Sequence, residues 1–264
     1  MDKILKVLGA IISRFAPAPT GFLHLGHVVN AAFVWRHAER VLLRIEDHDR
    51  QRSRPEFEAA ILEDLEWLGF QWDGELTRQS ERDDIYIGAL ARLRARGLVY
   101  ACACSRADVA PGPRYPGTCR DRGIAEGPGV SLRVRLERTV ERFVDLRHGP
   151  QEQRPFEQCG DLVVRDRDGN WTYQFAATVD DLEQGITHVV RGDDLLESTG
   201  RQIQLARLLG RAAPPTFLHH PLIMKSPTQK LSKSDRDTGV RDLRAQGFTP
   251  AQVLEKAISS IITP

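Results

Sequence analysis

The chain has 264 residues, 41% hydrophobic and 28% charged, close to the soluble globular averages of roughly 45–50% and 25%, which excludes a disordered or fibrous chain. Lys plus Arg number 37 against 36 Asp plus Glu, so a nucleic-acid partner has to be held by a local positive surface rather than by overall charge. No apolar run reaches the roughly 18 residues of a spanning helix, and Met1–Ile12 lacks the apolar region and cleavage site of a signal peptide. The four Cys, without a secretory context, do not read as a disulfide framework. The expectation is a soluble protein of a reducing, cytoplasmic compartment, with no membrane partner.

At about 150 residues per domain the length predicts one large domain or two small ones. The first predicted element is a strand over Lys6–Phe15, β-branched and apolar, running into the Pro/Gly-rich loop Ala16–Gly21. A helix follows over Gly26–Glu39, with Val28, Val29, Ala32, Phe33 and Trp35 at mixed helical spacings. Arg40–Ile45 reads as a second buried strand with no turn residues before it. Since α/β connections usually take about 2–6 residues, either the helix stops short of Glu39 or a loop is missing from this numbering near Arg40. Helices are predicted over Arg54–Gly69 and Ile85–Gly97, each apolar at helical spacing and each closing on a glycine. A Cys/Pro/Gly-rich stretch covers Ala101–Pro128. Strands are predicted at Ser131–Leu136 and Asp161–Arg165, the second closing on the turn Asp168-Gly169-Asn170. Beyond Trp171 strand and helix alternate again. The expected class is α/β: residues 1–100 and 161–240 as two halves of one parallel-sheet nucleotide domain, 101–160 as a smaller insertion, and 241–264 as a C-terminal helical segment.

Three constellations carry chemistry. The first is Ala16-Pro17-Ala18-Pro19-Thr20-Gly21-Phe22-Leu23-His24-Leu25-Gly26-His27, between a strand and a helix. Such a junction points backbone N–H groups and the positive helix end at an anion, and Gly21 and Gly26 let a phosphate approach closely. His24 and His27 add donors able to stabilise charge on a pentavalent phosphorus. A turn bearing two surface histidines is the plainer reading of the same residues. The second is Lys230-Leu231-Ser232-Lys233-Ser234, where two ammonium groups suit a polyphosphate clamp; an ordinary solvated basic loop is its plainer reading. The third is Cys102-x-Cys104, ten residues to Tyr115, then three to Cys119. Two closely spaced thiolates form half of a tetrahedral Zn²⁺ knuckle. With no His between Cys104 and Cys119, Tyr115 is an unusual candidate for the fourth ligand, since a phenol of pKa ≈ 10 must be deprotonated or bind weakly. Cys159 reads as a buried apolar residue.

The first two motifs, some 200 residues apart, together resemble the paired nucleotide motifs of class I aminoacyl-tRNA synthetases. The resemblance implies a Rossmann-like parallel sheet and attack of an amino-acid carboxylate on the α-phosphate of ATP. Mg²⁺ is expected with the ATP, His24 and His27 at the α-phosphate and Lys230 and Lys233 at the β/γ-phosphates. Arg14–Gly21, Arg44-Ile45-Glu46-Asp47-His48-Asp49 and Tyr173–Leu196 are similar to the glutamate-specific branch. A glutamate pocket needs cations for two carboxylates and an acceptor for the ammonium: Arg14 and Arg191 suit the first, Glu46 the second, and Tyr173 offers a phenolic donor. Ala16 and Ala18 line the same loop. Asp47 and Asp49, which with Glu46 invite a metal reading, are left as structural.

The cysteine pattern resembles the zinc module of a short branch of the glutamyl-tRNA synthetases, one without an anticodon-binding domain. That resemblance, over roughly Arg14–Arg244, implies one structural Zn²⁺ on Cys102, Cys104, Tyr115 and Cys119. It also implies L-glutamate, ATP and tRNA(Asp) as substrates, with glutamate delivered to queuosine at the wobble position. A monomer is expected. Met1–Ile12 is longer than the usual start of that branch, Ala18 stands where Ser is common, which removes one hydroxyl contact, and His27 stands where some members differ. The shortness of the chain accords with the missing anticodon module. The alternatives are a truncated or divergent glutamyl-tRNA synthetase, a silent RNA-binding paralogue, which would carry damaged nucleotide motifs, and another ligase on the same fold, against which the acidic-substrate set Arg14, Glu46, Tyr173 and Arg191 argues.

Overall fold

The computed structural model describes residues 9–109, 114–226, 229–230 and 239–262. Its contacts gather into two units, the first made of 1–78, 186–196 and 215–264, the second of 79–185 and 197–214. The first unit opens with β1 (Ile12–Phe15), α1 (Leu25–His37), β2 (Arg40–Ile45), α2 (Pro55–Trp67) and β3 (Thr77–Arg78). The chain then builds the second unit through α3 (Asp83–Ala95), β4 (Val99–Cys102), α4 (Arg106–Val109), β5 (Ser131–Val134), β6 (Glu141–Asp145), β7 (Gly149–Gln153), α5 (Pro155–Cys159), β8 (Leu162–Arg165) and α6 (Tyr173–Glu183). It returns to the first for β9 (His188–Gly192), to the second for α7 (Thr199–Leu208), and finishes in the first with β10 (Thr216–His220), β11 (Met224–Ser226), β12 (Gln229–Lys230), α8 (Val240–Ala245) and α9 (Pro250–Ile262).

In the first unit β1, β2 and β3 pair in parallel, as do β9 and β10. β9 is tied to β1 where the Thr187 amide donates to the Ile12 carbonyl at 3.0 Å and the Ile12 amide to Thr187 Oγ1 at 2.8 Å. Strands of a parallel sheet are covered on both faces and read as continuous apolar runs, as Val41, Leu43 and Ile45 do. They join Phe15, Val28, Val29, Ile61, Leu65, Val190, Leu218, Val253 and Ala257 in one core. Helix α2 starts with Pro55 at its first position and Glu56 and Glu58 in its first turn, both favourable at the positive helix end. It stops where Gly69 turns left-handed (φ +81°) and the Phe70 amide reaches back to the Leu65 carbonyl.

The second unit holds an antiparallel sheet in the order β4-β5-β8 and the hairpin β6–β7. Its core gathers Tyr86, Leu90, Leu93, Leu132, Val134, Val164, Phe175, Val179 and Leu205. Asp180 is fully buried and saturated by Gln79 Nε2 (2.7 Å), Arg82 Nε (2.7 Å) and the Tyr86 hydroxyl (2.9 Å), which clamps α6 to the start of α3.

The parallel α/β class expected from the sequence is present, while the unit that holds it is made of 1–78, 186–196 and 215–264 rather than 1–100 and 161–240, and the edges of its elements differ. Strand β1 begins at Ile12 rather than at Lys6; the Ile11 carbonyl already accepts from the Glu39 and Arg40 amides outside the ladder, and Met1–Leu8 lie outside the described residues. Helix α1 ends at His37, because Ala38 is extended (φ −129°), so two residues connect it to β2. Cys159 is half-buried rather than buried, and its thiol has the Pro155 and Gly160 carbonyls at 3.2 and 3.3 Å. Among the described residues no helix is long and apolar enough to cross a membrane.

Candidate active site and thiol cluster

The loop after β1 leads into α1 through an unusual cap. His24, extended at φ −128°, ψ 172°, accepts the Gly26 amide on its Nδ1 (3.0 Å), while His27 Nδ1 accepts the His24 amide (3.1 Å). Two imidazoles thus do what Ser and Glu do in a capping box. With each Nδ1 accepting, a neutral ring carries its proton on Nε2, so the helix start holds two ring N–H donors 4.0 Å apart by centroid. A Cβ at Gly26 would fall 2.8 Å from His24 Cε1, so a larger residue there would displace the capping imidazole. No acidic residue of α1 occupies its first turn, whereas Arg36 and His37 occupy its last, so the helix itself places no negative charge at the end where an anion is favoured.

The amino-acid-binding candidates of the first unit sit at the same strand ends. Arg14 on β1 is buried and its Nη1 donates to the Val190 carbonyl (3.3 Å), next to Arg191 on β9, also buried. Glu46 follows β2; its amide donates to the carbonyl of buried Pro17 (3.0 Å), between half-buried Ala16 and Ala18, and Gly21 comes later in the same loop. Carboxyl ends of parallel strands are where open α/β sheets bind ligands. Two further residues, Arg44 of the motif above and His219, had no site role assigned from the sequence. Fully buried Arg44 is two residues before Glu46, hence on the same strand face, with Nη2 3.4 Å from Glu46 Oε1. His219 on β10 meets Arg191 at 3.0 Å. The period-two pattern could have flagged Arg44; His219 becomes visible only through strand pairing.

Asp49 accepts from Arg52 Nε at 2.6 Å and from the Gln51 amide at 3.2 Å, an ordinary turn role. Burial acts to raise its pKa, but the Arg52 and Gln51 hydrogen bonds and the charge of Arg52 bring it below the usual carboxylate value. Tyr173 opens α6 and belongs to the second unit. Lys230 closes β12, paired antiparallel to Met224; Lys233 lies outside the described residues.

The second unit brings Cys102, Cys104 and Cys119 together, their sulfurs within 4.8 Å of one another and Cys104–Cys119 at 3.5 Å. The Tyr115 hydroxyl accepts the Cys119 amide (2.8 Å) and lies 3.4 Å from Cys102 Sγ. Around a tetrahedral Zn²⁺ with Zn–S ≈ 2.3 Å and Zn–O ≈ 2.0 Å, S···S and S···O separations are ~3.8 and ~3.5 Å, so the three thiols could hold one ion and the Cys102–Tyr115 separation is of the size a fourth, oxygen ligand would need. The tyrosine is fixed on three sides: its amide donates to the Cys159 carbonyl (3.0 Å), the Arg133 guanidinium lies 3.6 Å over its ring, and Gly160 (φ +68°) presses so close that a Cβ would come 2.2 Å from the Tyr115 carbonyl oxygen. Burial acts to raise the Cys102 thiol, yet hydrogen bonds from Tyr115 and Arg133, with the Cys104 amide and the Arg133 charge, bring it down to about 7. Burial and then the Cys119 and Cys102 sulfurs push Cys104 up to about 11, and burial with Cys102 raises Tyr115. Ionising all three sulfurs would set like charges against one another, and a divalent cation relieves that repulsion.

The sequence matches the family model of tRNA synthetases class I (E and Q), catalytic domain, over residues 10–111 and 117–262. It is 44% identical over 261 residues to a glutamyl-Q tRNA(Asp) synthetase of Pseudomonas fluorescens, covering 93% of this chain and 87% of that protein. It is 42% identical to a glutamate--tRNA ligase 1 of Acidithiobacillus ferrooxidans, over 93% of this chain but 56% of the relative. The structure superposes on a glutamate-tRNA synthetase of Elizabethkingia anophelis with TM-score 0.73 at 29% identity, over 90% of this chain and 54% of the other. The chain thus spans about half the length of the solved glutamate-tRNA ligases it matches.

Proposed function

Since the chain belongs to the class I tRNA synthetase family of the glutamate and glutamine type, and is on that account an ATP-dependent ligase, we propose that it activates L-glutamate with ATP and passes the glutamyl group to queuosine at the wobble position of tRNA(Asp). The observation that carries this reading is the grouping, at the ends of β1, β2 and β9 in one unit, of two buried arginines, a buried glutamate and a histidine-capped helix start.

In the first step a carboxylate oxygen of glutamate forms a bond to the α-phosphorus and pyrophosphate leaves. Arg14 and Arg191 hold carboxylates, and Glu46 receives the ammonium. The His24 and His27 Nε2–H groups donate to phosphate oxygens as charge builds, and Lys230 and Lys233 offset the charge of the departing pyrophosphate. Mg²⁺ enters with the ATP phosphates. In the second step a queuosine hydroxyl attacks the acyl carbon and AMP leaves. Cys102, Cys104, Cys119 and Tyr115 would hold a Zn²⁺ whose part is to cross-link the loop between β4 and β5. The names of two relatives that the chain matches over 87% and 98% of their own length support queuosine-bearing tRNA(Asp) as acceptor; a soluble, cytoplasmic monomer is the setting proposed.

Glutamate-dependent ATP–pyrophosphate exchange without tRNA, followed by transfer of labelled glutamate to tRNA with and without queuosine, tests both steps. Exchange with glutamate and queuosine-dependent transfer are expected. Exchange that needs no amino acid would overturn the activation step. Transfer independent of queuosine would assign the chain to charging a tRNA end, as the Acidithiobacillus relative is named to do.

A further inference from the structure

The parallel register of β9 and β10 sets His219 directly beside Arg191, with Phe217 beside Val189. Neighbours in register share a sheet face, so the imidazole and the guanidinium meet: Arg191 Nε donates to His219 Nε2 at 3.0 Å, and both residues are buried. The accepting nitrogen carries no proton, so a neutral His219 has its hydrogen on Nδ1. Arg191 Nη2 reaches the Leu195 carbonyl at 3.4 Å, and the guanidinium carbon lies 5.7 Å from the centre of the Phe217 ring. Two hydrogen bonds along one edge of a planar group, with a ring over its face, remove its rotational freedom. The adjacent histidine serves the opposite face of the strand: His220 Nδ1 lies 2.9 Å from the Pro221 carbonyl, and its Nε2 lies 3.0 Å from Asn30 Nδ2 on α1. Consecutive histidines on one strand therefore do unlike work, His220 docking α1 and His219 orienting an arginine.

We infer that His219 is a positioning residue for the amino-acid substrate: it holds the Arg191 guanidinium in the plane that receives a substrate carboxylate, without touching the substrate itself. The inference rests on the reading of Arg191 as a carboxylate ligand. A guanidinium gains its advantage over an ammonium from two parallel N–H groups in a set plane. Without its acceptor, buried Arg191 would have to find another partner for Nε before it could present that plane. The effect belongs to glutamate binding and not to ATP.

Glutamate-dependent ATP–pyrophosphate exchange is measured with glutamate and ATP varied in turn. In His219→Leu, which roughly keeps the volume and removes the acceptor, the KM for glutamate rises by roughly 10- to 100-fold, the size of a lost hydrogen bond to a charged group, while the ATP KM stays in place. His219→Gln, whose amide oxygen reaches the position of Nε2, recovers most of the loss; His219→Asn, whose oxygen falls near Nδ1, does not. An unchanged glutamate KM in His219→Leu, or glutamate and ATP KM values rising together, overturns the inference. If His219→Leu fails to fold, the Gln and Asn variants decide it, and equal glutamate KM values in those two overturn it. Absence of glutamate-dependent exchange in the unsubstituted protein would overturn the functional reading and this inference together; normal exchange with unmoved His219 variants would overturn this inference alone.

Discussion

The two units reach their chemistry by different routes. In the first, the polar groups sit on strand ends and a helix start laid over a core of their own, Phe15, Leu43, Ile45, Val190 and Leu218 among them. His24 and His27 cap a helix while offering donors, so one set of residues both folds the loop and equips it. In the second, buried Cys102, Tyr115 and Cys119 are themselves the small local core, with only partly buried Tyr100, Cys104, Val109 and Ile124 against them. Three side chains cannot shed enough apolar surface to order a long loop, since burying a large side chain contributes only about 1.5–3 kcal/mol against about 1–2 kcal/mol of backbone entropy per residue. The proposed cross-link through a metal would supply the difference. Substitutions at the first site should therefore cost activity at nearly constant stability, and those at the thiol cluster should cost stability first.

The largest effect is expected at Lys233. Lys233→Ala should lower glutamate-dependent exchange by roughly 10²- to 10³-fold, the scale of losing one group that stabilises transition-state charge, with an unchanged melting curve. Full exchange in that variant would remove Lys233 from the phosphate clamp. Next comes the thiol cluster: Cys119→Ser should abolish metal binding, read by elemental analysis, and lower the melting midpoint by several degrees. Chelation of the unsubstituted protein should do the same. A metal-free variant that melts normally would break the contrast between the units. Smaller again, Glu46→Gln should raise the glutamate KM by about 10- to 30-fold and leave the ATP KM alone; equal change in both would mean that Glu46 supports the loop rather than the ammonium.

The smallest effect concerns a residue with no part in either site. Asp64 on α2 is fully buried, and neither of its carboxylate oxygens has a hydrogen-bond partner among the described residues. Burial raises its pKa to about 6, against the opposing pull of Arg241 and with Glu63 adding to the rise. A raised carboxyl pKa penalises the ionised folded state: there is no penalty below about pH 4, where folded and unfolded chains are both protonated, it grows between pH 4 and 6, and it is complete above. Asp64→Asn should therefore match the parent protein near pH 4 and exceed it by on the order of 2 kcal/mol at pH 7.5, with exchange and metal content unmoved. Equal stabilities at both pH values would show that Asp64 is solvated.

Helices were legible wherever apolar spacing and a terminal glycine coincided, as in α2, which ends two residues before left-handed Gly69. Strand β1 was overextended because the apolar run from Lys6 continues past the single Gly9 into Ile11 and Ile12; pairing to β2 begins only at Ile12. The histidine motif could be located from local pattern, since capping is local, yet the sequence could not tell that each Nδ1 turns inward. The thiol cluster was legible as a spacing, while the seat of Tyr115 beneath Arg133 and against Gly160 depends on segments 18 and 45 residues away.

What the sequence determined by itself is what short range controls: the class of fold, through runs of one period, and the chemical inventory of the sites, through residue type and near spacing. What only the tertiary structure decided is which polar group answers which. Arg191 and His219 are 28 positions apart, and nothing local links them; parallel pairing of β9 with β10 sets them side by side, because register between strands is chosen by the burial of whole faces and not by the polar pair that it happens to align.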